Sequence, residues 1–118
     1  MQLLTKKIRS IFKDDFYPIL IDEEGGRVSR LKKFIDNSIF TAKFFGDMSK
    51  NNPKKFSVYF KIYIKQIAHL LKLLGININS VPVLDIRRKT SHKIIGDRSY
   101  STNKKIVKKI GKICIKDF

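Results

Sequence analysis

The sequence predicts an α/β fold built from two parallel strands with flanking helices. Three observations lead there. Two short apolar runs, Tyr17–Ile21 and Ile76–Leu84, are rich in strand-forming residues. The stretch between them carries apolar residues at helical spacing. Each apolar run ends abruptly in an aspartate, Asp22 or Asp85, and a polar loop follows. Strands alternating with long helices argue for parallel βα units joined by right-handed crossovers.

The elements follow in chain order. From Gln2 to Phe12, Leu4, Ile8, Ile11 and Phe12 recur at helical spacing, with Lys and Arg on the other face; Asp14 and Asp15 end the helix. Tyr17–Ile21 is continuously apolar with Pro18 near its start, which predicts a strand covered on both faces. Asn52 is suited to cap the next helix and Pro53 to its first position. Phe56, Phe60, Ile64, Ile67, Leu71 and Leu74 then form one apolar stripe, and Gly75 is the expected stop. The stripe is read as a face that packs on the sheet. The second strand, Ile76–Leu84, leads into a basic polar loop from Arg87 to Thr102. The last helix, about Asn103 to Phe118, has Ile106, Val107, Ile110, Ile113 and Cys114 on one face. Two strands expose both sheet edges and leave helix faces without partners, so the chain reads as a piece of a larger domain.

Composition narrows the function classes. The 118 residues suffice for one small domain, and 42% hydrophobic residues suffice for a core. The formal net charge of +16 suggests a polyanion partner. The 20 Lys against 6 Arg, beside abundant Ile, Asn and Phe, instead match the coding bias of an AT-rich genome. Nucleic-acid readers lean on Arg forks, so a nucleic-acid partner is not the expectation. Cys114 is the only cysteine and reads as a small buried hydrophobe. Met1–Arg9 has no leader-like apolar core, and no stretch approaches the roughly 18 apolar residues of a membrane span. A soluble cytoplasmic protein is expected.

In parallel α/β folds, ligands meet the C-terminal ends of the strands. Asp22 and Asp85 fall there, as do Gly25, Gly26 and the polar loop holding Arg98. Gly25-Gly26 permits positive φ and a close backbone approach. Arg27, Arg30 and Arg98 offer planar forks of donors. Carboxylates and guanidinium groups at such a cleft suit hydroxyl-rich or anionic small molecules. The competing arrangement is local: a strand-end Asp capping its own turn, or Arg98 paired with Asp85 or Asp97. His69 and His92 have no second ligand at metal spacing, so no metal site and no cofactor are expected.

Three runs carry a family resemblance. IDEEGGRVSRL, Ile21–Leu31, resembles the Asp-Gln/Glu-Glu-Gly-Gly-Arg-Val-x-Arg motif of glycoside hydrolase family 3. GININSVPVLDI, Gly75–Ile86, resembles its Gly-Ile-Asn-x-Asn-x-Ala-Pro-Val-x-Asp motif, with Val81 where Ala is usual. Ile95–Tyr100 resembles its Ile-Gly-Asp/Glu-Arg-Ser-Tyr/Phe run. The three occur in the family's order, and the likeness covers nearly everything from Tyr17 onward. It is nearest to bacterial β-N-acetylhexosaminidases of cell-wall recycling, which cut terminal N-acetylglucosamine from muropeptide sugars.

The resemblance implies a glycosidase whose catalytic domain is a TIM-type (β/α)8 barrel. Residues 1–118 would then be its N-terminal fragment, a partial TIM barrel holding two neighbouring strands. It implies that Asp22, Arg30 and Arg98 bind hydroxyls of the terminal sugar. Glu23, Glu24 and Arg27 would hold the loop together, Gly25 and Gly26 would shape it, and Asp85 would order its own loop. The family's Lys-His-Phe-Pro-Gly-His-Gly segment, acid/base histidine and aspartate nucleophile have no match here, so no residue is expected to be catalytic. Asp22, Glu23 and Glu24 are too close in sequence to be assigned as a facing catalytic pair. The expected partners are an N-acetylglucosamine-containing sugar and a complementing C-terminal chain. The alternative function is a non-enzymatic module that binds nucleic acid or an anionic surface through Lys104, Lys105, Lys108, Lys109, Lys112 and Lys116.

Overall fold

The computed structural model describes residues 1–88 and 92–118. Residues 89–91, within the basic loop expected over Arg87–Thr102, lie outside the described residues. The element order is α1 (Gln2–Phe12), β1 (Leu20–Ile21), α2 (Ala42–Asn51), α3 (Pro53–Leu73), β2 (Ile78–Asn79), a 3-10 turn (Gly96–Arg98) and α4 (Lys104–Asp117). The two strands pair in parallel, Leu20 opposite Ile78 and Ile21 opposite Asn79.

α3 is the spine. Asn52 accepts a hydrogen bond from the Lys55 N–H at 3.1 Å, and Pro53 occupies the first turn. The helix buries Phe56, Phe60, Ile64, Ile67 and Leu71, while Leu74 at its end is half-buried. Gly75, at φ 77°, closes it in the left-handed region. The stripe serves two cores. Phe56, Phe60 and Ile64 meet Phe45, Tyr100, Val107, Ile110 and Cys114. Ile67 and Leu71 meet Leu31 and Ile76 beneath the strands. Each fully buried side chain of this size stabilises by about 1.5–3 kcal/mol before entropy is counted. α4 packs as its periodicity predicts: Val107, Ile110 and Cys114 are buried, and Asn103 caps its first turn.

Four features differ from the sequence expectation. Regular strand geometry covers two residues in each apolar run, and Pro82 has no N–H with which to prolong β2. Leu20 is 62% exposed and Ile78 42% exposed, so helices cover one face of the sheet and not both. In α1, Leu4, Ile11 and Phe12 are exposed, whereas Thr5 is buried and its hydroxyl donates to the Leu74 carbonyl at 2.8 Å. Gly75 permits that approach, because a Cβ there would lie 2.5 Å from Thr5 Oγ1. Finally, α2 is an element the periodicity did not reveal. Thr41 caps it, accepting from the Phe44 N–H at 3.0 Å.

α2 lies against the segment that carries Tyr100. A Cβ on Gly46 would sit 1.7 Å from the Tyr100 carbonyl oxygen, which is backbone and cannot swing away. A Cβ on Gly111 would meet the end of the Leu84 side chain at 2.6 Å, with Pro82 Cγ at an ordinary 3.7 Å. Gly46→Ala should therefore destabilise by about 3 kcal/mol, against the helix-propensity gain of about 1 kcal/mol. Gly111→Ala should cost far less. Urea midpoints and thermolysin resistance of the two variants check the contrast.

Cys114 sits between α3 and the Tyr100 segment. Burial pushes its thiol pKa from 9.0 up to about 11, against the opposing effect of its hydrogen bond with Tyr100. Burial also raises the Tyr63 and Tyr100 phenols. A raised folded-state pKa favours the protonated form, so its stabilisation is fully present below pH 9 and is lost as pH rises through about 11. Urea stability should fall across that interval, and Cys114→Ala should flatten the slope there.

Candidate functional site

The two strands are short, and side-chain amides extend their pairing at both ends. Asn77 accepts from the Ile19 N–H at 2.7 Å and donates to the Phe16 and Tyr17 carbonyls at 3.1 and 3.2 Å. Asn79 accepts from the Glu23 N–H at 3.0 Å and donates to the Glu23 carbonyl at 3.1 Å. An amide side chain offers one acceptor and two donors, so each asparagine imitates a peptide group at the end of the ladder. Residues two apart on a strand share a face, which is why the Asn77-Ile78-Asn79 spacing serves both ends.

The second Asn contact fixes the backbone of Glu23, whose side chain is buried at 2% exposure. Glu23 Oε2 accepts from the Arg30 N–H at 2.6 Å, the Leu31 N–H at 3.0 Å and the Ser29 hydroxyl at 3.2 Å. Its Oε1 accepts from Asn37 Nδ2 at 2.9 Å, and Asn37 is itself fully buried. The carboxylate thus gathers the loop from 29 to 37 onto the end of β1.

The intervening turn needs its glycines. Gly25 and Gly26 have φ of 81° and 58°, a region that L side chains rarely adopt. Space adds a second requirement: a Cβ on Gly25 would lie 2.3 Å from the Tyr63 hydroxyl and 2.7 Å from the Phe40 carbonyl oxygen.

Three arginines stand at this end of the strands, each with its own carboxylate. Arg98 forks Glu24 through Nε to Oε2 at 2.7 Å and Nη2 to Oε1 at 2.6 Å. The pair is largely shielded, with Glu24 7% exposed and Arg98 25% exposed. Glu24's hydrogen bonds are the largest cause of Arg98's raised pKa; burial opposes it, and the charges of Glu24, Asp22 and Asp85 add to it. Arg27 donates through Nε to Asp97 Oδ1 at 2.8 Å and through Nη2 to the Ile94 carbonyl, clasping the loop that holds Arg98. Arg30 Nη2 lies 3.8 Å from Asp22 Oδ2, and both side chains are well exposed. The hollow among Glu24, Arg27, Val81, Asp97 and Arg98 holds about 20 Å³, room for a water and not for a sugar ring. The open part of the rim is the Asp22–Arg30 side.

Asp22, Arg30 and Arg98 therefore share one end of the parallel strands. Arg98 pairs across to the β1 loop at Glu24, not to Asp85 or Asp97 in its own loop. Glu24, Gly25, Gly26 and Arg27 build the turn and its two ion pairs. The Asp85 carbonyl accepts from the Ser99 hydroxyl at 2.7 Å, tying its loop to the segment after the 3-10 turn. His69 is exposed, and His92 Nδ1 accepts from the Ile94 N–H. Sequence reasoning gave no particular role to Asn37, Asn77, Asn79 or Ser80. The Asn-x-Asn alternation at 77 and 79 was the available signal; Asn37 carried none.

A family model described as the glycosyl hydrolase family 3 N terminal domain matches residues 5–118. The chain belongs to glycosyl hydrolase family 3. Beta-hexosaminidase A of Pseudoalteromonas piscicida is 35% identical over 102 residues, covering 85% of this chain and 16% of that protein. A beta-hexosaminidase of Xanthomonas campestris pv. campestris is 26% identical over 89 residues, covering 75% of this chain and 26% of that protein. Among solved structures, a family 3 glycosyl hydrolase from Mycobacterium smegmatis superposes with a TM-score of 0.67 at 23% identity, over 85% of this chain and 28% of that one. LpqI of M. tuberculosis does so with a TM-score of 0.67 at 25% identity, over 85% and 27%. The chain thus spans 16% to 28% of the length of these relatives. Among the described residues no helix is long and apolar enough to cross a membrane.

Within this family 3 chain, the Glu23 network is open to direct test. Glu23→Ala removes both acceptor oxygens and leaves the Arg30 and Leu31 amides and the Asn37 amide without this partner. The loss should destabilise by about 2–3 kcal/mol. Hydrogen exchange should accelerate at the Arg30 and Leu31 amides, by roughly thirty-fold or more. Unchanged protection at both amides would count against the network.

Proposed function

We propose that this chain forms the hydroxyl-binding rim of a β-N-acetylhexosaminidase site, and that β1 and β2 are neighbouring strands of a (β/α)8 barrel. The sugar it takes is terminal N-acetylglucosamine of cell-wall muropeptides. The observation that carries the reading is the opposition of Arg30 and Asp22 across 3.8 Å on an exposed rim shared with Arg98. That separation is beyond hydrogen-bond reach. A hydroxyl entering there accepts from the guanidinium and donates to the carboxylate, so it satisfies both charged groups at once. An anion would meet Asp22 unfavourably, and a cation would meet Arg30 unfavourably. A neutral polyol suits the pair. Glu24 holds Arg98 from behind, which keeps that guanidinium charged and limits its motion before a sugar arrives.

None of these 118 residues matches the family's nucleophile or acid/base segments. The proposed role of the chain is therefore binding and orientation, and bond cleavage requires groups from outside these residues. A complementing C-terminal chain is the proposed source of those groups.

Titration of the 118-residue chain with N-acetylglucosamine, followed by NMR, tests this role. Shifts should centre on Asp22, Arg30 and Arg98, and Asp22→Ala should weaken binding at least ten-fold. The same preparation should not hydrolyse an aryl β-N-acetylglucosaminide, since losing nucleophile and acid/base removes many orders of magnitude in rate. Turnover abolished by Asp22→Ala would overturn the binding-only assignment. Salt-sensitive RNA binding with no response to the sugar would favour the polyanion reading instead.

A further inference from the structure

We propose that Ser80 is a positioning residue for the sugar-binding carboxylate of Asp22, an inference that rests on the sugar-rim reading above. Ile21 lies opposite Asn79, so the next pair along the two parallel strands is Asp22 and Ser80. The Ser80 N–H donates to the Ile21 carbonyl at 3.1 Å, carrying the ladder one step beyond the regular strand. The alternation of the pleat puts Asp22 and Ser80 on the face that carries Leu20 and Ile78, the uncovered one.

On that face the Ser80 hydroxyl donates to Asp22 Oδ1 at 2.6 Å. A bond of this length from a hydroxyl to an ionised oxygen belongs to the charge-assisted class. It fixes which carboxylate oxygen does what. Oδ1 is engaged by Ser80, and Oδ2 is turned toward Arg30 Nη2, 3.8 Å away. Without the serine hydroxyl, Asp22 is free to rotate about χ1 and χ2. It can then swing onto Arg30 directly and close the gap into which a sugar hydroxyl would enter. Ser80 therefore keeps Asp22 and Arg30 apart in the geometry that a hydroxyl bridges. Its own placement comes from the sheet ladder and not from a loop, so the constraint is a stiff one.

The variants Ser80→Ala, Ser80→Thr and Asp22→Ala, singly and with Ser80→Ala combined with Asp22→Ala, test this by titration of the 118-residue chain with N-acetylglucosamine. Ser80 is exposed, so circular dichroism should be unchanged in its variants. Ser80→Ala should weaken binding about five- to ten-fold. Ser80→Thr, which retains the hydroxyl, should bind within about two-fold of the unaltered chain. Adding Ser80→Ala to Asp22→Ala should cause no further loss, because the serine acts through the aspartate. If Asp22→Ala abolishes binding while Ser80→Ala leaves it unchanged, the positioning role is overturned and the sugar-rim reading stands. If the unaltered chain gives no response, or Asp22→Ala leaves the response intact, the sugar-rim reading falls and this inference with it. An equal loss in the threonine variant would also overturn it, since retaining the hydroxyl would then not preserve binding.

Discussion

Glu23 is buried at the end of β1, so its carboxylate must be satisfied from within the protein or cost several kcal/mol. Two backbone amides, a hydroxyl and a side-chain amide supply the donors. Because those donors lie on residues 29 to 37, satisfying the charge forces the loop to fold back over the strand. Because the Glu23 backbone is itself held by Asn79, the same constraint ties β1 to β2. Arg30 and Asp22 take their places from this arrangement. Arg30 carries one of the amides that bond the carboxylate, and Asp22 precedes the glutamate in the chain.

Close backbone approach is the second structural theme. Gly25 lies against Tyr63 and Phe40, Gly46 against Tyr100, and Gly75 against Thr5. Each contact joins two segments of chain at a distance no Cβ permits. The Gly46 contact bears most directly on the rim, since it seats α2 against the residues that follow Arg98. The long α3 stripe then fixes both cores at once, joining the helical side of the molecule to the strand side.

The rim is electrically balanced although the protein carries a net charge of +16. Arg27, Arg30 and Arg98 each face a carboxylate. Much of the surplus positive charge resides on lysines away from these pairs, including the exposed face of α4. On the proposed reading, the three pairs suit a neutral, hydroxyl-bearing ligand better than a polyanion. The three pairs have different work: the shielded Glu24–Arg98 pair and the more exposed Arg27–Asp97 pair brace the loops, and Asp22–Arg30, at 3.8 Å, is left unclosed.

The sequence by itself determined the helices whose signals are local. Asn52-Pro53 and Asn103 mark helix starts, Gly75 marks a stop, and the stripes of α3 and α4 name their buried faces, because capping and amphipathic periodicity act within a few residues. It also determined the family, since three motifs in order are a property of the chain alone. Its local signals failed at α1, where Thr5 and not the apolar stripe turns inward, and at α2, where Thr41 and Gly46 gave no periodic pattern to read. Tertiary structure decided which carboxylate each arginine meets. Arg98 could have paired with Asp97, its neighbour in sequence, but Arg27 takes Asp97 and leaves Arg98 to Glu24 across the two loops. Partners separated by about seventy residues are chosen by strand register, and register depends on pairing, burial and the Asn77 and Asn79 amides together. The engagement of Asp22 by Ser80 is likewise a consequence of which residues fall opposite one another, which no single stretch of the sequence contains.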